Sequence, residues 1–76
     1  MARYSIKSNI PGRDYSRGNL TRRDASKAFR GIARRLTDEG YEVTATFRNT
    51  PRIDLRGTIK VMIDNFYYYV ELFREF

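Results

Sequence analysis

Four basic side chains between residues 23 and 34 share the spacing of one helix face, a pattern suited to binding anions. They are Arg23, Lys27, Arg30 and Arg34. At about 100° per residue they fall within roughly 60° of one another. No acidic residue stands among these four, so each neighbouring pair costs roughly a few tenths of a kcal/mol in repulsion. Because arginine and lysine bind phosphate and carboxylate groups, the face is predicted to meet an acidic partner. The alternative interpretation is an ordinary solvated helix surface.

Two further groups of candidate binding residues lie outside this helix. The first lies in two loops and comprises Arg13, Arg17, Arg52 and Arg56. The second lies on one face of the predicted sheet and comprises Arg48, Lys60, Tyr67 and Tyr69. Exposed rings among cations can stack on nucleic-acid bases, or can be buried against a protein partner or a second copy of the chain. An open sheet face with ordinary strand-forming aromatics is the remaining interpretation.

The composition excludes several kinds of chemistry. The 76-residue chain has 15 Lys and Arg against 9 Asp and Glu, a net charge of +6 and a pI near 10.1, as is typical of nucleic-acid-binding domains. It contains no cysteine and no histidine. Disulfides, thiolate nucleophiles and the commonest general base and metal ligand are therefore absent.

Catalysis is not expected from the carboxylates that remain. Those outside the helix region are Asp54, Asp64, Glu71 and Glu75. The predicted strand register does not bring two of them together, as a metal-dependent reaction requires. We therefore predict that the protein is not an enzyme and that it has no catalytic residues, metal site or cofactor.

A helix within residues 20–40 must position the basic face. Thr21 is a suitable N-cap, Asp24 follows it by three residues, and Gly40 stands where a left-handed residue ends a helix. Apolar residues recur on the side opposite the basic face, and they form one stripe: Ala25, Ala28, Phe29, Ile32, Ala33 and Leu36.

The rest of the chain predicts four strands. A two-residue turn at Asp64–Asn65 fixes the register of the last hairpin, since it pairs Ile63 with Phe66 and collects the apolar side chains on one face. The predicted strands cover residues 3–6, 41–48, 58–63 and 66–76, with a long flexible loop at 8–19 and a basic loop at 49–57.

These elements predict a single α+β domain over residues 1–76. One amphipathic helix packs on a mostly antiparallel four-stranded sheet, in the chain order β-α-β-β-β. The first strand can take either edge, because the loop after it is long. The predicted core is Ala25, Ala28, Phe29, Ile32, Ala33, Leu36, Tyr41, Val43, Ala45, Phe47, Ile59, Val61, Ile63, Tyr68, Val70 and Leu72.

The hydropathy pattern does not indicate a membrane protein. No apolar run approaches the roughly 18–20 residues of a membrane span. The first nine residues also lack the apolar segment of a signal peptide. We therefore expect a cytoplasmic protein that does not bind membranes.

Two functional hypotheses follow from these patterns. The first is a non-enzymatic module that binds the backbone of DNA or RNA with low sequence specificity. The second is an inhibitor or adaptor that binds an acidic or nucleic-acid-binding protein complex through the same arginines. The aromatic sheet face is then the partner contact or a homodimer contact. In size and layout, as a short basic α/β chain, the sequence resembles small proteins of phages and mobile elements, such as anti-CRISPR proteins. That resemblance implies an inhibitor that acts in the host cytoplasm.

Overall fold

One helix packs on one face of a five-stranded antiparallel sheet, so the protein is an α+β domain. The computed structural model describes residues 2–50 and 53–75. The sheet order is β2-β1-β5-β4-β3, and every neighbouring pair is antiparallel. The elements are β1 (Tyr4–Ser8), β2 (Arg17–Leu20), α1 (Arg22–Asp38), β3 (Glu42–Thr50), β4 (Ile53–Ile63) and β5 (Phe66–Arg74).

Helix α1 begins and ends where the sequence predicts. The Thr21 hydroxyl accepts a hydrogen bond from the Asp24 backbone N–H at 3.1 Å, which satisfies one of the N–H groups that a helix start leaves unpaired. Gly40 has a φ of 92°, and its N–H donates to the Thr37 carbonyl, so the chain leaves the helix through a left-handed residue. Within the described ranges, no helix is long and apolar enough to cross a membrane.

The β4–β5 hairpin has the predicted register. Asp64 and Asn65 have φ values of 52° and 69°, as a type I′ turn requires. Ile63 pairs with Phe66, Val61 with Tyr68 and Ile59 with Val70. Side chains at alternate positions of both strands therefore face α1, and this prediction is confirmed.

The sheet has five strands, so the prediction of four is wrong. The missed strand, β2, lies in the segment that was predicted to be a flexible loop at 8–19. Its sequence, RGNL, has low strand propensity, and it pairs only at the edge, on β1. The Asn19 N–H donates to the Glu75 carboxylate at 2.9 Å. Contacts with residues that are distant in the sequence therefore stabilise this strand.

The basic loop predicted at 49–57 is also wrong for most of its length. Strand β3 continues to Thr50 and β4 begins at Ile53, so the two strands form a long hairpin. Pro51 and Arg52 lie outside the described residues. Leu55 is fully buried, because the extended β4 carries it beneath α1.

The core lies between α1 and the sheet. Of the predicted core residues, Ala45 is exposed, because β3 is an edge strand that α1 does not cover fully. Tyr4, Ile6, Ile10 and Leu55 are buried but were not in the predicted set. The buried core is Tyr4, Ile6, Ile10, Ala25, Phe29, Ile32, Leu36, Leu55, Ile59, Val61, Val70 and Leu72.

Candidate functional site

The four predicted cations of α1 form one exposed surface. Arg23, Lys27, Arg30 and Arg34 are all exposed, and we call this set the basic helix face. The opposite side of α1 is fixed against the sheet, because Ala25, Phe29, Ile32 and Leu36 are buried. The packing of the helix therefore turns the basic helix face toward solvent, as the periodicity predicts.

A polar groove runs beside this face, between the first half of α1 and the end of β3. Its volume is about 600 Å³. The Arg22 guanidinium donates two hydrogen bonds to Asn49 Oδ1, from Nε at 3.1 Å and from Nη2 at 3.0 Å. This contact fixes the wall of the groove. The lining residues are Arg22, Arg23, Ser26, Lys27, Arg30 and Asn49.

Arg30 contacts an aromatic ring, and no ion pair of Arg30 is found among the described side chains. Its guanidinium carbon lies 5.0 Å from the centroid of the Phe47 ring, a distance at which a cation is attracted to the ring face. A contact that restricts a side chain in this way would lower the entropy lost if the side chain bound an anion.

Groups of cations and of carboxylates lie at opposite ends of the region formed by α1, β3 and β4, although Asp24 lies near the first group and Arg35 near the second. Helix α1 runs antiparallel to β3, so Arg22 and Arg23 lie at the same end as Arg48, and Arg48 pairs with Arg56 across the β3–β4 hairpin. We call this the basic end. The opposite end, which we call the acidic end, carries Asp38, Glu39, Glu42 and Asp64.

The cross-strand neighbours Arg48 and Arg56 place two like charges directly opposite each other on the uncovered sheet face. Such a pair is destabilising unless an anion lies between or beside the two groups. No ion pair to either residue is found among the described side chains. This position is therefore suited to a negatively charged group.

The predicted aromatic group lies on the uncovered sheet face, farther toward the acidic end. Tyr67 is 50% exposed and Tyr69 is 41% exposed. Lys60 Nζ lies 4.1 Å from the centroid of the Tyr67 ring. The uncovered face therefore combines accessible rings with a cation, although it lies on the opposite side of the domain from the basic helix face.

Arg13 and Arg17 do not join the basic helix face. Arg13 forms an ion pair with Glu39 and hydrogen-bonds to the Tyr15 hydroxyl. These contacts, the Glu39 hydrogen bond first, raise the pKa of Arg13 above its ordinary value. Arg13 therefore ties its loop to the end of α1. Arg17 is exposed on β2, and Arg52 lies outside the described residues.

Sequence reasoning missed the Arg22–Asn49 contact. The two residues are 27 positions apart, and no local pattern relates the start of a helix to the end of a strand. Only the order of the elements indicates this contact. When a helix is followed by a strand that runs antiparallel to it, the start of the helix lies near the end of the strand.

Among the described residues, no group of three or more acidic side chains is placed to hold a metal ion. Comparison of the chain with protein-family models, curated proteins and solved structures gives no match. The geometry of the surfaces is therefore the basis for a functional proposal.

Proposed function

We propose that the protein is a non-enzymatic module that binds nucleic acid through its phosphate backbone, with the basic helix face and the adjoining groove as the main contact. The observation that carries this proposal is the exposure of four cations along one helix face without an acidic residue among them. Their mutual repulsion is relieved when phosphates lie along the face.

The dimensions of this face fit a phosphate backbone. Residues 23 to 34 span about 16 Å along a helix at about 1.5 Å per residue. A duplex presents one phosphate per about 3.4 Å of axis on each strand, so about four or five phosphates fall within that length. The face thus offers about one cation per phosphate of a single backbone.

The expected binding has low sequence specificity. Phosphate contacts fix the position of a protein on nucleic acid but carry no base information. The basic helix face consists of arginine and lysine side chains. The side-chain amide of Asn49 in the adjoining groove already accepts hydrogen bonds from Arg22. We expect affinity to depend on charge and backbone shape more than on base identity.

The second candidate is an inhibitor or adaptor that binds a nucleic-acid-processing protein complex. The observation that favours it is the pair of accessible rings at Tyr67 and Tyr69, since exposed tyrosines beside cations are typical of protein interface cores. Such a protein holds its target through a partly apolar contact that salt screens less than it screens phosphate contacts.

The test is a fluorescence-anisotropy titration of labelled single- and double-stranded DNA and RNA at two salt concentrations. About four phosphate contacts predict that affinity falls by roughly a hundredfold between about 50 and 200 mM salt. Arg23→Glu with Lys27→Glu should abolish binding. The control is Lys7→Glu with Arg17→Glu, which changes the net charge equally at exposed positions outside the basic helix face.

Two outcomes contradict direct nucleic-acid binding. One is the absence of binding to every probe at about 150 mM salt, which leaves the inhibitor or adaptor as the candidate. The other is an equal loss of affinity in both double variants, which makes net charge, rather than the basic helix face, responsible.

A further inference from the structure

The two edges of the sheet differ in length and regularity. The β2 edge has four residues, its register on β1 is irregular, and Asn19 within it has a φ of 55°. The β3 edge has nine residues, and within the described part of the chain β3 pairs with β4 alone. Its register on β4 is regular from Glu42 to Arg48 and shifts only between Arg48 and Thr50. A long regular edge strand offers unpaired backbone groups to another chain.

The hairpin register determines which β3 groups face outward. A two-residue turn makes Ile63 and Phe66 a hydrogen-bonded pair. Since this pattern alternates along β4, Met62, Lys60 and Thr58 direct their backbone groups toward β3. Their β3 neighbours therefore bond inward, and the residues between those neighbours present N–H and C=O groups to the open edge: Val43, Ala45 and Phe47.

The segment at residues 42–48, EVTATFR, is complementary to itself when it is reversed about Ala45. An antiparallel second copy centred on Ala45 places Glu42 opposite Arg48, and it places Val43 opposite Phe47. Thr44 then faces Thr46. The ion pairs lie on the uncovered sheet face and the apolar pairs lie on the α1 side, as the alternation of side chains along a strand requires.

We propose that a second copy of this chain pairs antiparallel with β3, so that two five-stranded sheets join into one ten-stranded sheet about a two-fold axis at Ala45. Backbone hydrogen bonds then run through the outward groups of Val43, Ala45 and Phe47 of both copies. This inference does not rest on the proposed function, because it concerns β3 and requires no nucleic acid.

Other registers lose the charge complementarity. A shift of two residues in either direction places Glu42 opposite Thr46, or Arg48 opposite Thr44, and both ion pairs are lost. A shift of one residue brings outward-facing groups opposite inward-facing groups and breaks the hydrogen-bond pattern. The register centred on Ala45 is therefore the one that charge and backbone geometry favour together.

The surroundings of β3 leave room for this pairing. Ala45 is small and exposed, and a groove of about 380 Å³ separates α1 from the edge strand along Ala33, Ala45 and Phe47. The second copy also brings a carboxylate beside Arg48, whose neighbour within the chain is Arg56. The proposed contact therefore relieves the like-charge pair of the hairpin.

The test is sedimentation equilibrium of the full chain without nucleic acid. The wild type should approach twice the 9.0 kDa mass of one chain as its concentration rises. Glu42→Arg alone and Arg48→Glu alone should each weaken association by about tenfold or more, because each change replaces both ion pairs with like charges. Combining the two changes in one chain should restore the dimer.

A mixture of the two single variants supplies a second control. One chain then carries only cations at these positions and the other only carboxylates, so the mixture should form a heterodimer. Ala45→Pro should also abolish association, because the outward N–H of Ala45 makes no bond to β4 and its loss leaves the fold intact. Thermal melts of every variant separate a lost contact from a lost fold.

Two results overturn the proposal. One is a wild type that sediments as a single chain at every concentration. The other is a dimer that all of these changes leave intact but that Tyr67→Ser with Tyr69→Ser dissociates, since this identifies the uncovered sheet face as the interface. Neither result bears on the binding of nucleic acid by the basic helix face.

Discussion

The ring of Phe29 lies so close to the backbone of Gly57 that no side-chain atom fits between them. A Cβ built on Gly57 comes within 2.6 Å of Phe29 Cζ and 2.7 Å of Cε2. Phe29 is buried and its ring centroid lies 5.5 Å from that of Phe47, so it has little freedom to move away. Helix α1 therefore packs on β4 through the ring of Phe29, which lies directly over Gly57.

We predict that Gly57→Ala destabilises the protein by about 1–3 kcal/mol, as overpacking of a close-packed core does. The measurement is the free energy of unfolding in urea. The matched control is Gly31→Ala on the exposed side of α1, where an added Cβ meets nothing within 4 Å. That change should stabilise the protein by about 0.5–1 kcal/mol. Equal changes in the free energy of unfolding for the two variants would contradict the close packing of Phe29 on Gly57.

The three consecutive tyrosines of β5 should respond differently to truncation. Tyr68 packs against the core, whereas Tyr67 and Tyr69 are exposed on the other face. We predict that Tyr68→Ala lowers the free energy of unfolding by about 2 kcal/mol or more, and that Tyr67→Ala and Tyr69→Ala each cost less than about 1 kcal/mol. Thermal melts compare the three variants. A silent Tyr68→Ala beside a disruptive Tyr69→Ala would mean that the side chains of β5 face the opposite way.

Glu75 gives the fold a dependence on acid pH. Its carboxylate accepts hydrogen bonds from the Ser5 hydroxyl and the Asn19 N–H, and these bonds, with the Ser5 contribution larger, lower the pKa of Glu75. A lowered carboxyl pKa stabilises the folded state above the unfolded-state pKa, and this stabilisation is lost as the pH falls through the folded pKa. Glu75→Gln should therefore be less stable than the wild type at neutral pH, and the difference should shrink in acid.

The check on this prediction is a series of thermal melts from neutral to acidic pH. Ser5→Ala removes the donor with the larger effect on the pKa of Glu75. It should therefore reduce the pH dependence while leaving the carboxylate in place. If the difference in stability between Glu75→Gln and the wild type is the same at every pH, the charge of the Glu75 carboxylate does not stabilise the fold.

The β4–β5 turn should be sensitive to side-chain shape at Asn65. Its φ of 69° is tolerated by asparagine and glycine but strained for a β-branched residue. We predict that Asn65→Val costs about 1–2 kcal/mol and that Asn65→Gly is neutral or stabilising. Urea unfolding compares the two variants, and similar stabilities for both would contradict a left-handed conformation at this position.

Local patterns predicted the parts of the fold that local interactions determine. Thr21 caps α1 through a residue three positions away, and Asp64–Asn65 sets the hairpin register through its own backbone. Strand β2 was missed because its hydrogen bond to Glu75 joins residues 56 positions apart. The start of β4 was missed because Gly57 was interpreted as a loop residue, whereas it lies within β4 at a position where the ring of Phe29 leaves no room for a Cβ.

The candidate site divides in the same way. The basic helix face follows from periodicity within one element, so its four residues and their exposure were predictable. Arg13 is of a residue type that often binds anions, but its side chain forms an ion pair with Glu39. The two residues are far apart in the sequence, so no local pattern predicts this pair. The separation of the aromatic group from the basic helix face also depends on tertiary structure, because it requires knowing which side of the sheet α1 covers.

The cations at one end of the region formed by α1, β3 and β4 and the carboxylates at its other end make the surface charge uneven. Electrostatic fields in solution decay over about 8 Å at physiological ionic strength, which is far shorter than the 39 Å extent of the protein. A charged group near the surface is therefore affected mainly by the side chains beside it, and less by the net charge of +6. Under the proposed function, attraction at Arg23 and Arg48 favours an approach of the phosphates to the basic end. The proposed contact along α1 would then begin near Arg23 rather than near Asp38, which follows Arg34 by one helical turn.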